Sequence, residues 1–302
     1  MNLCSVKEVK SLLAEFGLAP KKGFGQNFLI NPDVPENIAE FSAGAAGKAP
    51  RAVLEIGPGV GALTSSLAER FDKVVCVEID RGLIPLLERT LAEYPNVTVV
   101  SADFMELDLE AFFREHFDGF DVSVCANLPY YITTPVMMKF FDSFPASRPM
   151  PVSSLTFMVQ LEVAERICSD SASGEYGSVT ASVGLMAKGK KLFNVPAGNF
   201  YPAPSVTSAV MQLLPHENGI YTVYPDAPAD AAECERFAAD VKKVIAAAFS
   251  QRRKTLANAL SSLYPKNEVA AALEACGHRP DIRGERLSSA DFCRLTAALG
   301  GE

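Results

Sequence analysis

Between residues 51 and 127, short β-rich runs alternate with helix-compatible segments, and this alternation constrains the fold more than any other feature of the chain. Strand-like runs at 52–56, 74–79, 97–101 and 122–126 are separated by helix-compatible stretches at 62–70, 82–93 and 106–116. Strands joined through helices return to the same end of a sheet, so they pair in parallel as βαβ units of an α/β sheet. Further strands are predicted at 154–159, 192–195 and 208–214, with helices at 161–168 and 178–187. The first domain is therefore expected to span 1–216. Residues 217–232 are rich in Pro, Asp and Ala and lack a sustained period, which suits a linker. Beyond them Phe237, Val241, Val244, Ile245 and Phe249 recur at helical spacing, and Leu256, Leu260 and Leu263 continue the pattern. A small helical domain is expected over 233–302.

Composition excludes several classes. With 302 residues and 48% hydrophobic content the chain can bury a sizeable core. Its longest apolar runs are strand-length, and charges interrupt every window long enough to span a bilayer, so no membrane association is expected. Lys7, Glu8 and Lys10 near the start leave no room for the apolar core of a secretory signal, and the reading is cytoplasmic. The seven cysteines are scattered without a CxxC pair, and the three histidines lack ligand-like spacing. Neither a disulfide framework nor a metal is expected. A net charge of −8 argues against a uniformly basic nucleic-acid binder. Basic residues nevertheless gather at Lys21-Lys22, at Lys188, Lys190 and Lys191, at Lys242-Lys243, at Arg252-Arg253-Lys254 and at 279–286. Charge alone leaves these open between RNA contacts and ordinary solvated faces.

The first strand runs into Glu55-Ile56-Gly57-Pro58-Gly59-Val60-Gly61, after which Ala62-Leu63-Thr64 opens a helix. Glycines at such a turn let the backbone approach a nucleoside more closely than a Cβ would permit. Glu78 ends the next strand, about 20 residues beyond the glycines, where a carboxylate can accept both ribose hydroxyls. Asp80 reads as the N-cap of a helix starting at Arg81. These features fit NAD and S-adenosylmethionine equally. The third strand ends in Ser101-Ala102-Asp103-Phe104, which places a carboxylate within reach of an adenine amino group and an aromatic ring beside it.

At the end of the fourth strand stands Asn127-Leu128-Pro129-Tyr130. Open α/β sheets bind ligands at the carboxyl ends of their strands, so this tetrapeptide is expected to face the cofactor crevice. Its chemistry suits an adenine N6, a poor nucleophile because its lone pair is delocalised into the ring. The Asn127 side-chain carbonyl and the Pro129 backbone carbonyl can accept the two N–H bonds and favour a pyramidal nitrogen. Tyr130 can stack on a base that has left its neighbours.

With these pieces in place the chain resembles the ribosomal RNA adenine dimethyltransferase family along nearly its whole length. The likeness is carried by Lys22 to Leu29 (KGFGQNFL), Leu54 to Thr64 (LEIGPGVGALT), Asn127 to Pro135 (NLPYYITTP), Phe157 to Arg166, Val195-Pro196, Phe200 to Val210 and Phe249 to Asn258. The resemblance implies a methyltransferase-type Rossmann-like fold with a small C-terminal helical domain, and S-adenosyl-L-methionine as cofactor. It implies dimethylation of two adjacent adenosines in a 3′-terminal hairpin loop of small-subunit rRNA, with the pre-30S particle as partner and a part in ribosome biogenesis. By the same resemblance Asn27 and Leu29 close over the cofactor, Gly57 contacts it, Glu78 holds the ribose and Asp103 meets the adenine. Asn127 touches cofactor and target base, and Phe200 sandwiches the base opposite Tyr130. The tail Gln251-Arg252-Arg253-Lys254 favours the small-subunit branch, with Arg252, Arg253 and Lys254 as RNA contacts. Two rivals share these residues: a DNA adenine methyltransferase, and a mainly non-catalytic ribosome assembly factor.

Overall fold

The computed structural model describes residues 2–20, 26–47, 50–251 and 253–300. In chain order the first elements are α1 (Val6–Glu15), β1 (Phe28–Leu29), α2 (Asp33–Ala45), β2 (Arg51–Ile56), α3 (Ala62–Ala68), β3 (Lys73–Glu78), α4 (Ile84–Thr90), β4 (Val97–Ser101), α5 (Leu109–Phe117), β5 (Asp121–Asn127) and α6 (Tyr130–Ser143). There follow β6 (Ser154–Gln160), α7 (Leu161–Ile167), α8 (Ser178–Val183), β7 (Ala187–Val195), β8 (Phe200–Tyr201), β9 (Ser208–Pro215), α9 (Ala231–Ser250), α10 (Leu256–Ala259), α11 (Lys266–Ala275) and α12 (Ser289–Leu299).

Seven strands form one sheet in the order β4-β3-β2-β5-β6-β9-β7. From β4 to β6 every pairing is parallel, and β9 runs antiparallel to β6. Strands β2, β3, β5 and β6 are buried almost without interruption, as expected where helices cover both faces. On one face Ile38 and Ala39 of α2 and Leu63 and Leu67 of α3 pack on Val53, Val74, Cys76, Cys125 and Met158. The chain winds from β2 outward through β3 to β4, then crosses back to β5 on the other side of β2. That reversal opens a crevice at the carboxyl ends of β2 and β5. In the register Ile56 pairs with Ala126, so Gly57 and Asn127 leave the sheet side by side.

The chain divides into two compact units, and neither is continuous in sequence. The first comprises 1–143, 151–164 and 190–214, and the second 144–150, 165–189 and 215–302. In the second, α9 packs against α8 and α12, and α12 against α11. Phe249 of α9 lies 6.0 Å from the Phe292 ring and 5.9 Å from that of Tyr176. The Glu235 carboxylate accepts the backbone N–H groups of Ala146 and Ser147 at 3.1 and 3.0 Å. The Glu235 bonds join 144–150 to α9, and Tyr176 and α8 join 165–189 to it, whereas the sequence pattern groups both segments with the first domain. Residues 217–232, expected as a linker, contain a 3-10 turn at Gly219–Thr222. Ile220 there is wholly buried and its N–H bonds the Ala146 carbonyl at 2.9 Å, so part of the segment is core. Among the described residues no helix is long and apolar enough to cross a membrane.

Local chemistry explains the other differences. Helix α6 has no counterpart in the sequence reading, because Pro135 sits inside it and cannot donate to the carbonyl four residues back. The helix expected at 178–187 stops at Val183, where Gly184 caps it and the chain turns into β7. Asp80 caps a turn through the Gly82 N–H at 3.0 Å, while α4 itself starts only at Ile84.

Candidate active site

The crevice above β2, β3, β4 and β5 is a cavity lined wholly by residues of the first unit. Strand ends supply its floor. Gly57 continues β2, and its N–H bonds the Val77 carbonyl at 2.9 Å, which holds the glycine turn against the end of β3. Gly57 and Gly59 have φ of +71° and +61°, a region disfavoured for residues with a Cβ. A Cβ on Gly59 would also lie 3.3 Å from the Phe28 ring.

Glu78 closes β3 and is only 4% exposed. Its carboxylate accepts the N–H of Asp80 at 2.8 Å and that of Gly59 at 3.3 Å, so it ties its own strand end to the glycine turn. Burial raises its pKa above the ordinary 4.5, and those two N–H donors oppose the rise. Asp103, following β4, accepts the Met105 N–H through Oδ1 at 2.8 Å. Its other oxygen has no hydrogen-bond partner among the described residues.

From β5 come Asn127, Leu128 and Pro129, and then Tyr130 as the first residue of α6. The Tyr130 hydroxyl meets Ser208 Oγ of β9 at 2.8 Å, which fixes the ring's far end. The Pro129 carbonyl, expected to receive an amino donor, already accepts the Ile132 N–H and the Thr133 hydroxyl, each at 3.1 Å. It therefore starts α6, and a third donor would have to displace the hydroxyl.

The remaining wall is a two-stranded antiparallel ribbon in which Phe28 pairs with Tyr201 and Leu29 with Phe200. It places Asn27, Leu29 and Phe200 on the same cavity as Gly57, Glu78, Asp103, Asn127, Pro129 and Tyr130. Of the RNA-contact candidates, Arg253 and Lys254 are exposed just beyond α9 in the second unit, and Arg252 lies outside the described residues. Residues 22–25 of the KGFGQNFL motif are likewise outside them. Among the described residues no cluster of His, Cys, Asp and Glu could hold a metal ion.

Among the lining residues to which the sequence assigns no role, three stand out. Ile79 and Tyr131 are 50% and 64% exposed, unusual for large side chains. Each directly follows a residue the motifs had singled out, which was the available signal. Glu55 is the third, and only 1% exposed. Burial pushes its pKa up to about 7, against hydrogen bonds from Thr64 and Cys76, while the nearby Glu78 charge adds to the rise.

The mostly parallel sheet, the glycine turn and the acidic strand ends are those of a Rossmann-type methyltransferase, and solved structures share the fold. The 23S rRNA methyltransferase ErmE is similar with a TM-score of 0.64 and 25% identity, over 90% of this chain and 99% of that one. A dimethyladenosine transferase from Plasmodium falciparum shares the fold with a TM-score of 0.66 and 24% identity, over 88% and 95% of the two chains. The sequence model of ribosomal RNA adenine dimethylases matches residues 17–299. The ribosomal RNA small subunit methyltransferase A of Anoxybacillus flavithermus is 37% identical over 99% of this chain and 96% of its own length. That of Streptococcus pneumoniae is 38% identical over 100% and 99%. The chain belongs to the ribosomal RNA adenine dimethylase family.

Proposed function

We propose that this protein methylates N6 of two adjacent adenosines in a 3′-terminal hairpin loop of 16S-type small-subunit rRNA. It uses S-adenosyl-L-methionine, acts on the pre-30S particle, and so contributes to small-subunit biogenesis. The observation that carries the reading is the adjacency of Gly57 and Asn127 at the switch point, with Glu78 and Asp103 on the same cavity.

The residues fit the cofactor. A turn with glycine at 57, 59 and 61 admits a nucleoside closely at those positions, Glu78 can accept from a ribose, and the open oxygen of Asp103 can accept from an adenine amino group. Asn27 and Leu29 stand over the same cavity. Bound there, S-adenosylmethionine supplies an electrophilic methyl group.

The protein's own task is to present a neutral nitrogen. Tyr130 and Phe200 would hold the flipped base between aromatic faces, and the Asn127 carbonyl would accept one N6–H. The Pro129 carbonyl would accept the second only when the Thr133 hydroxyl rotates away, which costs about one hydrogen bond, roughly 1 kcal/mol. No residue need act as a base beforehand, because the proton leaves after the methyl has moved.

Arg252, Arg253 and Lys254 would contact RNA phosphates and position it without taking part in chemistry. Assaying purified protein on pre-30S particles beside duplex DNA tests the reading. Methylation of the particle alone is expected, and preference for duplex DNA would overturn it.

A further inference from the structure

Tyr130 and Tyr131 open α6 together but meet different surroundings. Consecutive helical side chains diverge by about 100°. The hydroxyl bond to Ser208 holds Tyr130 toward β9. Tyr131 remains 64% exposed while still lining the cavity mouth. Ile79 is the other strongly exposed apolar side chain on this cavity, but it follows Glu78 on the cofactor side.

Resting on the proposed function, we infer that Tyr131 is a stacking platform for the nucleotide next to the target adenosine. A base extruded into the cavity leaves its neighbour covalently tethered at the mouth and robbed of a stacking partner. The two tyrosine Cα atoms are about 3.8 Å apart, so one ring serves the pocket while the next serves the flanking base. Aromatic stacking is tolerant of base identity, which lets the same ring serve when the two adenosines exchange places. A protein partner would have no such tether bringing it to this rim. Tyr131 thus sets which stretch of RNA is seated and does not touch the reacting atoms.

The test uses the full chain and small-subunit particles whose 3′ hairpin is synthetic, with an abasic nucleotide on one side or the other of the target adenosine. Tyr131→Ala should raise the KM for the particle about 5- to 150-fold, with Tyr131→Phe near wild type and cofactor affinity unchanged in calorimetry. In one abasic arm wild type should lose as much as Tyr131→Ala loses on intact RNA, and the two changes together should lose no more. Fully additive losses in both arms would overturn the platform, as would failure of Tyr131→Phe to rescue a folded Tyr131→Ala defect. Wild-type protein inactive on the intact particle would instead remove the functional reading on which the platform rests, and the platform with it.

Discussion

Leu29 and Phe200 are register partners in the β1–β8 ribbon, buried at 3% and 4% exposure on one wall of the cavity. Beyond them the Ile30 N–H bonds the Asn199 carbonyl at 2.9 Å, and the Asn31 side-chain amide bonds that of Asn199 at 2.8 Å. The segment read as closing over the cofactor and the aromatic read as gripping the base are therefore one hydrogen-bonded piece. Neither can shift without moving the other.

Glu78→Ala should weaken S-adenosylmethionine binding. Loss of two charge-assisted hydrogen bonds corresponds to on the order of 2–3 kcal/mol, or about 30- to 150-fold in affinity. Calorimetry giving an unchanged affinity would remove Glu78 from the cofactor site.

Gly59→Ala forces a Cβ to within 3.3 Å of the Phe28 ring at a φ of +61°. The free turn can relax, whereas a bound nucleoside would demand the strained form. A penalty of about 1–2 kcal/mol should lower cofactor affinity roughly 5- to 30-fold. Equal affinities for variant and wild type would mean that the turn does not approach the ligand closely.

Stability should carry the signature of Glu55. Its folded pKa of about 7 lies above the ordinary 4.5, so between these values the native state keeps a proton the unfolded state has lost. Stability is then full below the unfolded pKa and falls as pH rises toward 7, by about 3 kcal/mol at roughly 1.4 kcal/mol per tenfold. Glu55→Gln cannot titrate. The stability difference, Gln variant minus wild type, should grow by most of that amount between pH 5 and 8 in urea unfolding, and a flat difference would mean Glu55 ionises normally.

Tyr130→Phe keeps the ring but leaves the buried Ser208 hydroxyl without its 2.8 Å partner. Unfolding should show a loss of about 1–2 kcal/mol that largely disappears when Ser208→Ala is added. Tyr130→Ala removes the ring as well. After the first methylation N6 keeps a single N–H, so orientation depends more on stacking. Tyr130→Ala should hurt the second transfer at least as much as the first. An unaltered ratio of mono- to dimethylated product would refute the stacking role.

Replacing Arg252, Arg253 and Lys254 by Ala should weaken RNA binding and flatten its salt dependence, by roughly two units of slope if all three meet phosphates. Cofactor affinity should hold. An unchanged slope would make them a solvated face.

Elements with strong local signals were legible in the sequence. Strands β2 to β5 fall within about a residue of their expected bounds, since unbroken apolar runs flanked by helices admit one arrangement. Because parallel strands end on one side of a sheet, Gly57, Glu78, Asp103 and Asn127 could be grouped before any coordinates. Leu29 and Phe200 could not, because two-residue strands have no period and their pairing spans most of the first unit; family resemblance alone pointed to them. Neither α6, hidden by Pro135, nor the burial of Ile220 in a stretch whose composition reads as a linker is legible in the sequence. Nor does any pattern show that the Pro129 carbonyl is engaged within α6, since that follows from helix start geometry.

The most direct test is mass spectrometry of the 3′ hairpin adenosines after pre-30S particles are incubated with the purified protein and isotope-labelled S-adenosylmethionine. Two neighbouring N6,N6-dimethyladenosines, each carrying two labelled methyl groups and lost in Asn127→Ala, are the expected result. Wild-type product that stops at N6-methyladenosine, or label that reaches no adenosine of that loop, would contradict it.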